Sequence, residues 1–113
     1  MPQITQFDSR ELRRRLDAGE YLILVDIREN FEREINRIPT KGDDYHIPMG
    51  QIPTSLDRLV ELAKSGPLVI YCHHGVRSMT VAHWLTYQGV TNLVNLDGGI
   101  DAYSNIDSSV PRY

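Results

Sequence analysis

Leu68-Val69-Ile70-Tyr71-Cys72-His73-His74-Gly75-Val76-Arg77-Ser78 changes character part-way along. Its first four residues are a short apolar run rich in branched side chains, the pattern of a strand buried on both faces. A polar loop with one glycine follows. Beyond it, Val81, Trp84 and Leu85 recur at helical spacing, and Gly89 is a natural stop. A buried strand that passes through a short loop into a helix is the unit of a parallel α/β sheet. In such sheets ligand sites form at the carboxyl ends of the strands.

Outward from this segment the same alternation recurs. Leu22-Ile23-Leu24-Val25 and Leu93-Val94-Asn95-Leu96 read as further buried strands. Leu56, Leu59, Val60 and Ala63 fit the i, i+3, i+4, i+7 spacing of an amphipathic helix. Thr5-Gln6-Phe7-Asp8-Ser9-Arg10-Glu11-Leu12 reads as a helix start: Asp8 caps it, Glu11 completes a capping box, and Phe7 with Leu12 forms a hydrophobic staple. Leu12 and Leu16 share one face, and Gly19 ends the helix. Residues 36–54 are interrupted by Pro39, Pro48, Pro53, Gly42 and Gly50, leaving room only for a short strand at Tyr45 to Ile47. Gly98-Gly99 permits a tight turn into a last short helix through Ile100 and Tyr103. With no repeat, linker or low-complexity stretch, a single domain over residues 1–113 is expected.

Composition narrows the function classes. Apolar residues make up 41% and charged residues 24% of the 113, a balance that supports one ordinary globular core. The net charge of -3 and the lack of a basic tail argue against a nucleic-acid partner. Arg13-Arg14-Arg15 fan around a helix axis and read as a solvated face. No apolar run approaches the roughly 20 residues of a membrane span. Met1 to Gln6 lacks the basic and apolar regions of an export signal. The one cysteine cannot form an internal disulfide and suits a reducing, cytoplasmic setting.

A lone cysteine is by default an inert core residue, so its neighbours must decide its role. Cys72 sits where a strand ends and a helix begins. Unpaired backbone N–H groups and the helix dipole stabilise an anion at such a place, and a thiol there, beside a cation, ionises more readily than a free one. Gly75 lets the backbone turn so that successive N–H groups face the sulfur. The Arg77 fork is suited to holding an oxyanion near Cys72, such as a sulfonate or phosphate. His73 and His74 could add positive charge below neutral pH, although loop side chains partly facing solvent are the simpler reading. A metal site built from Cys72, His73 and His74 fails on spacing and on ligand number, so neither metal nor cofactor is expected.

Cys72-x-x-Gly75-x-Arg77-Ser78, between an apolar strand and a helix, resembles the active-site loop of rhodanese domains. Val25-Asp26-Ile27-Arg28-Glu29-Asn30-Phe31-Glu32 is similar to the family's Asp-x-Arg-Glu-x-x-Glu segment. Gly89 to Tyr103 resembles its closing segment, with Tyr103 where tryptophan is usual. These matches run from about residue 4 to residue 103. The resemblance implies an α/β rhodanese-like fold: a central parallel sheet of about five strands with helices on both faces. It also implies a sulfurtransferase that moves a sulfane sulfur from thiosulfate or a persulfide to a thiol or cyanide through a persulfide on Cys72. The loop N–H groups of His73, His74, Gly75, Val76, Arg77 and Ser78 would cradle that sulfur. Small sulfur-containing anions, and a protein that donates persulfide or accepts sulfur, are the partners implied. In place of the family's His-Ile-Pro-Gly-Ala stretch stands Arg37-Ile38-Pro39-Thr40-Lys41, at a segment that shapes the pocket rim in relatives. The ending Asp107 to Tyr113 resembles the tail of modules fused to adenylating enzymes.

Two alternatives remain open. Cysteine phosphatases place five residues between cysteine and arginine; here His73, His74, Gly75 and Val76 make four, a tighter ring that suits sulfur better than tetrahedral phosphate. A non-catalytic binding module would not need Cys72, Gly75 and Arg77 together. Asp26 and Arg28, at the end of a neighbouring strand, either set the field at the sulfur or form a buried ion pair that holds the walls of the site. The ion pair is the preferred reading for Asp26, and Arg28 is left undecided.

Overall fold

The computed structural model describes residues 3–113. Met1 and Pro2, part of the stretch read as carrying no export signal, lie outside the described residues. Five strands pair in parallel: β1 (Thr5–Phe7), β2 (Ile23–Asp26), β3 (Asp43–His46), β4 (Leu68–Tyr71) and β5 (Leu93–Leu96). Their spatial order is β1-β5-β4-β2-β3, which puts β4 in the middle. Val25 of β2 lies opposite both Ile70 of β4 and Tyr45 of β3. The helices are α1 (Ser9–Asp17), α2 (Asn30–Ile35), α3 (Leu56–Ser65), α4 (Val76–Tyr87) and α5 (Gly99–Ser104).

Strand side chains alternate between the two faces of the sheet, and each face buries its own apolar layer. Ile23, Val25, Leu68 and Ile70 pack with Leu59 and Ala63 of α3 and Val81, Ala82 and Leu85 of α4. Leu22, Leu24, Val69, Tyr71, Val94 and Leu96 pack on the opposite face with Leu12 of α1 and Ile100 and Tyr103 of α5. This is the expected α/β architecture with helices on both faces. Trp84 lies partly buried against the first layer, as its spacing predicts. No described helix is long and apolar enough to cross a membrane.

Two elements differ from the sequence reading. Thr5–Phe7, read as the opening of a helix, is instead the edge strand β1, paired with β5. The capping signal was genuine, for the Glu11 N–H donates to Asp8 Oδ1 at 2.8 Å and α1 starts at Ser9. Three residues of strand precede the cap because pairing with β5 supplies their hydrogen bonds, a tertiary contact with no local signature. The second difference is α2, which leaves its apolar pair Phe31 and Ile35 exposed and buries a carboxylate, Glu32. Within residues 36–54 the strand falls at Asp43–His46, followed by two short 3₁₀ turns.

Candidate active site

Cys72 leaves the carboxyl end of the central strand, and α4 begins four residues later. Gly75 makes the turn between them with φ 93°, a left-handed conformation natural to glycine. A side chain there would bring its Cβ to 3.0 Å from the Leu96 carbonyl oxygen at the end of β5. The loop is anchored from behind by α5: the Ile100 N–H donates to the Cys72 carbonyl at 3.0 Å, and the Asp101 N–H to the His73 carbonyl at 2.9 Å. Gly99 permits this approach, since a Cβ on it would lie 2.6 Å from the Cys72 carbonyl oxygen. The conformation of the loop is therefore set by contacts from β5 and α5.

Cys72 is only 1% exposed, and its sulfur meets polar groups from inside its own loop. The Gly75 and Ser78 N–H groups donate to Sγ at 3.2 and 3.3 Å. The Cys72 thiol donates to Ser78 Oγ at 3.4 Å, and the Ser78 hydroxyl donates in turn to Asn95 Oδ1 at 2.5 Å. Asn95 Nδ2 donates to Gln6 Oε1 at 3.1 Å and to the Gly75 carbonyl at 3.4 Å. Asn95 is the one polar residue in the otherwise apolar run of β5, and that break in pattern was its signal in the sequence. Two N–H donors aimed at one buried sulfur, at a helix start, form a site fit to hold negative charge on that atom.

Arg77, expected to hold an oxyanion near Cys72, is engaged by a carboxylate of the protein itself. Its Nη1 and Nη2 donate to Glu32 Oε1 and Oε2 at 2.8 and 3.0 Å, a bidentate pair. The same carboxylate accepts the Tyr113 hydroxyl at 2.6 Å and the Glu29 N–H at 3.1 Å. Its hydrogen bond to Arg77 holds the Glu32 carboxyl down at about 2, against the opposing effect of burial. The pairing with Glu32 raises Arg77 further above its ordinary range, and the nearby Cys72 sulfur adds to that.

Asp26 and Arg28 form the buried ion pair, and neither has exposed surface. Arg28 Nε and Nη2 donate to Asp26 Oδ1 and Oδ2 at 2.9 and 2.8 Å. Nη1 donates to Asn36 Oδ1 at 2.6 Å and the Tyr113 hydroxyl at 2.9 Å, while Nη2 also reaches the Asn36 carbonyl at 2.8 Å. Burial opposes the guanidinium charge, but the Asp26 hydrogen bonds outweigh it and raise Arg28 above its usual value. Arg33 adds a second cation, shared between Asp26 at 3.3 Å and Asp44 at 2.6 Å. Asp26 and Arg28 are thus held in a buried network that includes Asn36, Arg33 and Tyr113.

The histidines occupy the rim. His73 is stacked on Tyr113, with ring centroids 4.0 Å apart, and its Nε2 lies 2.9 Å from the Tyr113 backbone oxygen. His74 is mostly exposed. His73 and His74 approach opposite oxygens of Asp101 at 4.0 and 3.8 Å, with one ligand atom from each of the three residues lying within 4.8 Å of the others. Adjacent histidines can thus converge on a third group that their own spacing does not announce. Arg112 already pairs with that carboxylate at 3.1 Å. Val76, at the first turn of α4, is 73% exposed beside the loop. Glu32, Asn36, Asn95, Asp101 and Tyr113 were absent from the residues first singled out. Glu32 had a signal as the last acid of the Asp-x-Arg-Glu-x-x-Glu segment, whereas Asn36 and Tyr113 join the site only through the fold.

Comparison with known proteins agrees with this geometry. The rhodanese-like domain family matches residues 8–106. A sulfurtransferase of Allochromatium vinosum is 38% identical over 101 residues, which cover 89% of each chain. A putative sulfurtransferase of Bacillus subtilis, YtwF, is 35% identical over 89% of this chain and 91% of its own. Among solved structures, a rhodanese-like domain protein from Staphylococcus aureus superposes with a TM-score of 0.79 at 28% identity, covering 97% of this chain and 99% of its own. A cysteine at the end of the central parallel strand, ringed by backbone donors, together with these likenesses, shows that the chain belongs to the rhodanese-like sulfurtransferase family.

Proposed function

We propose that the protein transfers sulfane sulfur through a persulfide on Cys72. The observation that carries this reading is the pair of backbone donors, Gly75 and Ser78, on a buried sulfur at the start of α4. The Cys72 thiolate attacks the outer sulfur of the donor. A new S–S bond forms to Cys72, the donor's S–S bond breaks, and its electron pair leaves with the remainder, as sulfite from thiosulfate or as a thiolate from a persulfide. An acceptor thiolate or cyanide then attacks the outer sulfur, and the electron pair of the Cys72 S–S bond returns to Cys72. Loop N–H groups that hold a thiolate also suit the charge of a persulfide, which supports both half-reactions. Asp26 and Arg28 support the wall of the site and take no part in bond exchange.

Intact-protein mass spectrometry after incubation with thiosulfate, and separately with glutathione persulfide, tests the reading. A gain of one sulfur atom is expected, lost again on adding cyanide and absent in Cys72→Ser. No adduct from either donor would sink the sulfurtransferase reading and leave a binding module. Release of phosphate from an aryl phosphate at a rate that Cys72→Ser abolishes would instead favour the phosphatase reading, which the four-residue spacing opposes.

A further inference from the structure

The cation that the loop spacing offers to a substrate oxyanion is already taken. Both Arg77 nitrogens are committed to Glu32, and each Glu32 oxygen accepts a second donor: Oε1 the Glu29 N–H, Oε2 the Tyr113 hydroxyl. The Glu32 side chain is 6% exposed. A carboxylate with four hydrogen bonds in that setting is costly to displace, because each bond lost leaves a group unpaired in a poorly solvated place.

Three further arginines are matched as well. Arg28 faces Asp26, Arg33 faces Asp44 and Asp26, and Arg112 faces Asp101. Arg28, Arg33, Arg77 and Arg112 are therefore each balanced by a carboxylate before any thiolate charge is added. Asp101 also faces His73 and His74, at 4.0 and 3.8 Å. A dianionic donor would have to bring its sulfonate up to Arg28, Arg33, Arg77 and Arg112, each of which already faces a carboxylate.

We infer that Glu32 is a positioning residue that withholds Arg77 from oxyanions, so that the donor this site takes is an organic persulfide rather than thiosulfate. The inference rests on the sulfurtransferase reading and narrows its substrate class. A persulfide R–S–SH has no trailing oxyanion to be held. Cys72 thiolate attacks its terminal sulfur, that sulfur moves to Cys72 with its hydrogen, and the electron pair leaves as R–S⁻. Atoms and charge balance with no further reactant. The only recognition required is that of the transferring sulfur, which the Gly75 and Ser78 N–H groups supply. Selectivity then arises as a difference between donors: an unpaired sulfonate is penalised in one case and nothing comparable is lost in the other.

The test is steady-state transfer from thiosulfate and from glutathione persulfide to one acceptor thiol, in the wild type, Glu32→Gln and Glu32→Gln/Arg77→Ala. Wild type is expected to show kcat/KM at least a hundredfold higher with the persulfide. Glu32→Gln should lower KM for thiosulfate at least tenfold, with the gain in KM rather than kcat, because it releases Arg77. The double variant should lose that gain. Comparable kcat/KM for the two donors in the wild type overturns the inference and leaves the sulfurtransferase reading intact. So does a folded Glu32→Gln whose thiosulfate KM does not fall. Should Glu32→Gln melt below the assay temperature, the wild-type donor ratio decides alone. Loading by neither donor overturns both readings.

Discussion

Arg28 has no exposed surface, yet carries a full charge whose three nitrogens meet Asp26, Asn36 and Tyr113. Breaking a buried pair by removing one partner leaves the other charge uncompensated, at a cost of about 3–5 kcal/mol. Arg28→Ala should therefore lower the urea midpoint steeply. Arg28→Lys should fail to restore it, because an ammonium cannot span both Asp26 oxygens and Asn36. Per folded molecule, sulfur transfer should fall more in Arg77→Ala than in Arg28→Ala, because the loss of Arg77 leaves Glu32 unpaired against the start of α4, where the sulfur's donors lie; the reverse order would assign Arg28 a direct role at the sulfur. Ser78 has a different dependence. Its hydroxyl is the partner of Asn95 Oδ1, so Ser78→Ala leaves a buried acceptor bare and should cost about 1–3 kcal/mol in chemical denaturation.

At the scale of elements, the loop between β4 and α4 is held by contacts from both β5 and α5. Gly75→Ala places a side chain at φ 93° and 3.0 Å from the end of β5. The backbone conformation alone costs about 1–2 kcal/mol, and relief of the contact must move the Gly75 N–H away from the sulfur. The rate of persulfide formation, followed by mass spectrometry, should drop by more than the loss of thermal stability accounts for. This loop was legible in the sequence because an apolar run, a glycine and a helical period meet within a few residues. Strands β2, β4 and β5 were legible for the same reason. β1 and α2 were not. β1 owes its existence to β5, far along the chain, and α2 turns a carboxylate inward where an apolar stripe would have announced it. Arg77 shows the matching limit at the site: its presence could be read, but its partner Glu32 is 45 residues away and only the fold brings them together.

For the molecule as a whole, Glu32 ties α2, the start of α4 and the chain near Tyr113 to one carboxylate, so its ionisation is felt globally. Its folded value of about 2 lies below the ordinary 4.5, so the stabilisation is fully present above pH 4.5 and is lost as pH falls toward 2. Urea midpoints measured across that window should decline in the wild type. In Glu32→Gln they should decline less, from a lower plateau. An unchanged pH slope in that variant would place the acid sensitivity elsewhere. The enclosure of Cys72, 1% exposed, also bears on how the protein ages in an oxidising cell. Peroxide must touch a thiolate to convert it to sulfenic acid and then, irreversibly in most proteins, to sulfinic acid. A sulfur so enclosed by its own loop is met slowly by such small oxidants, which should spare Cys72 from irreversible over-oxidation.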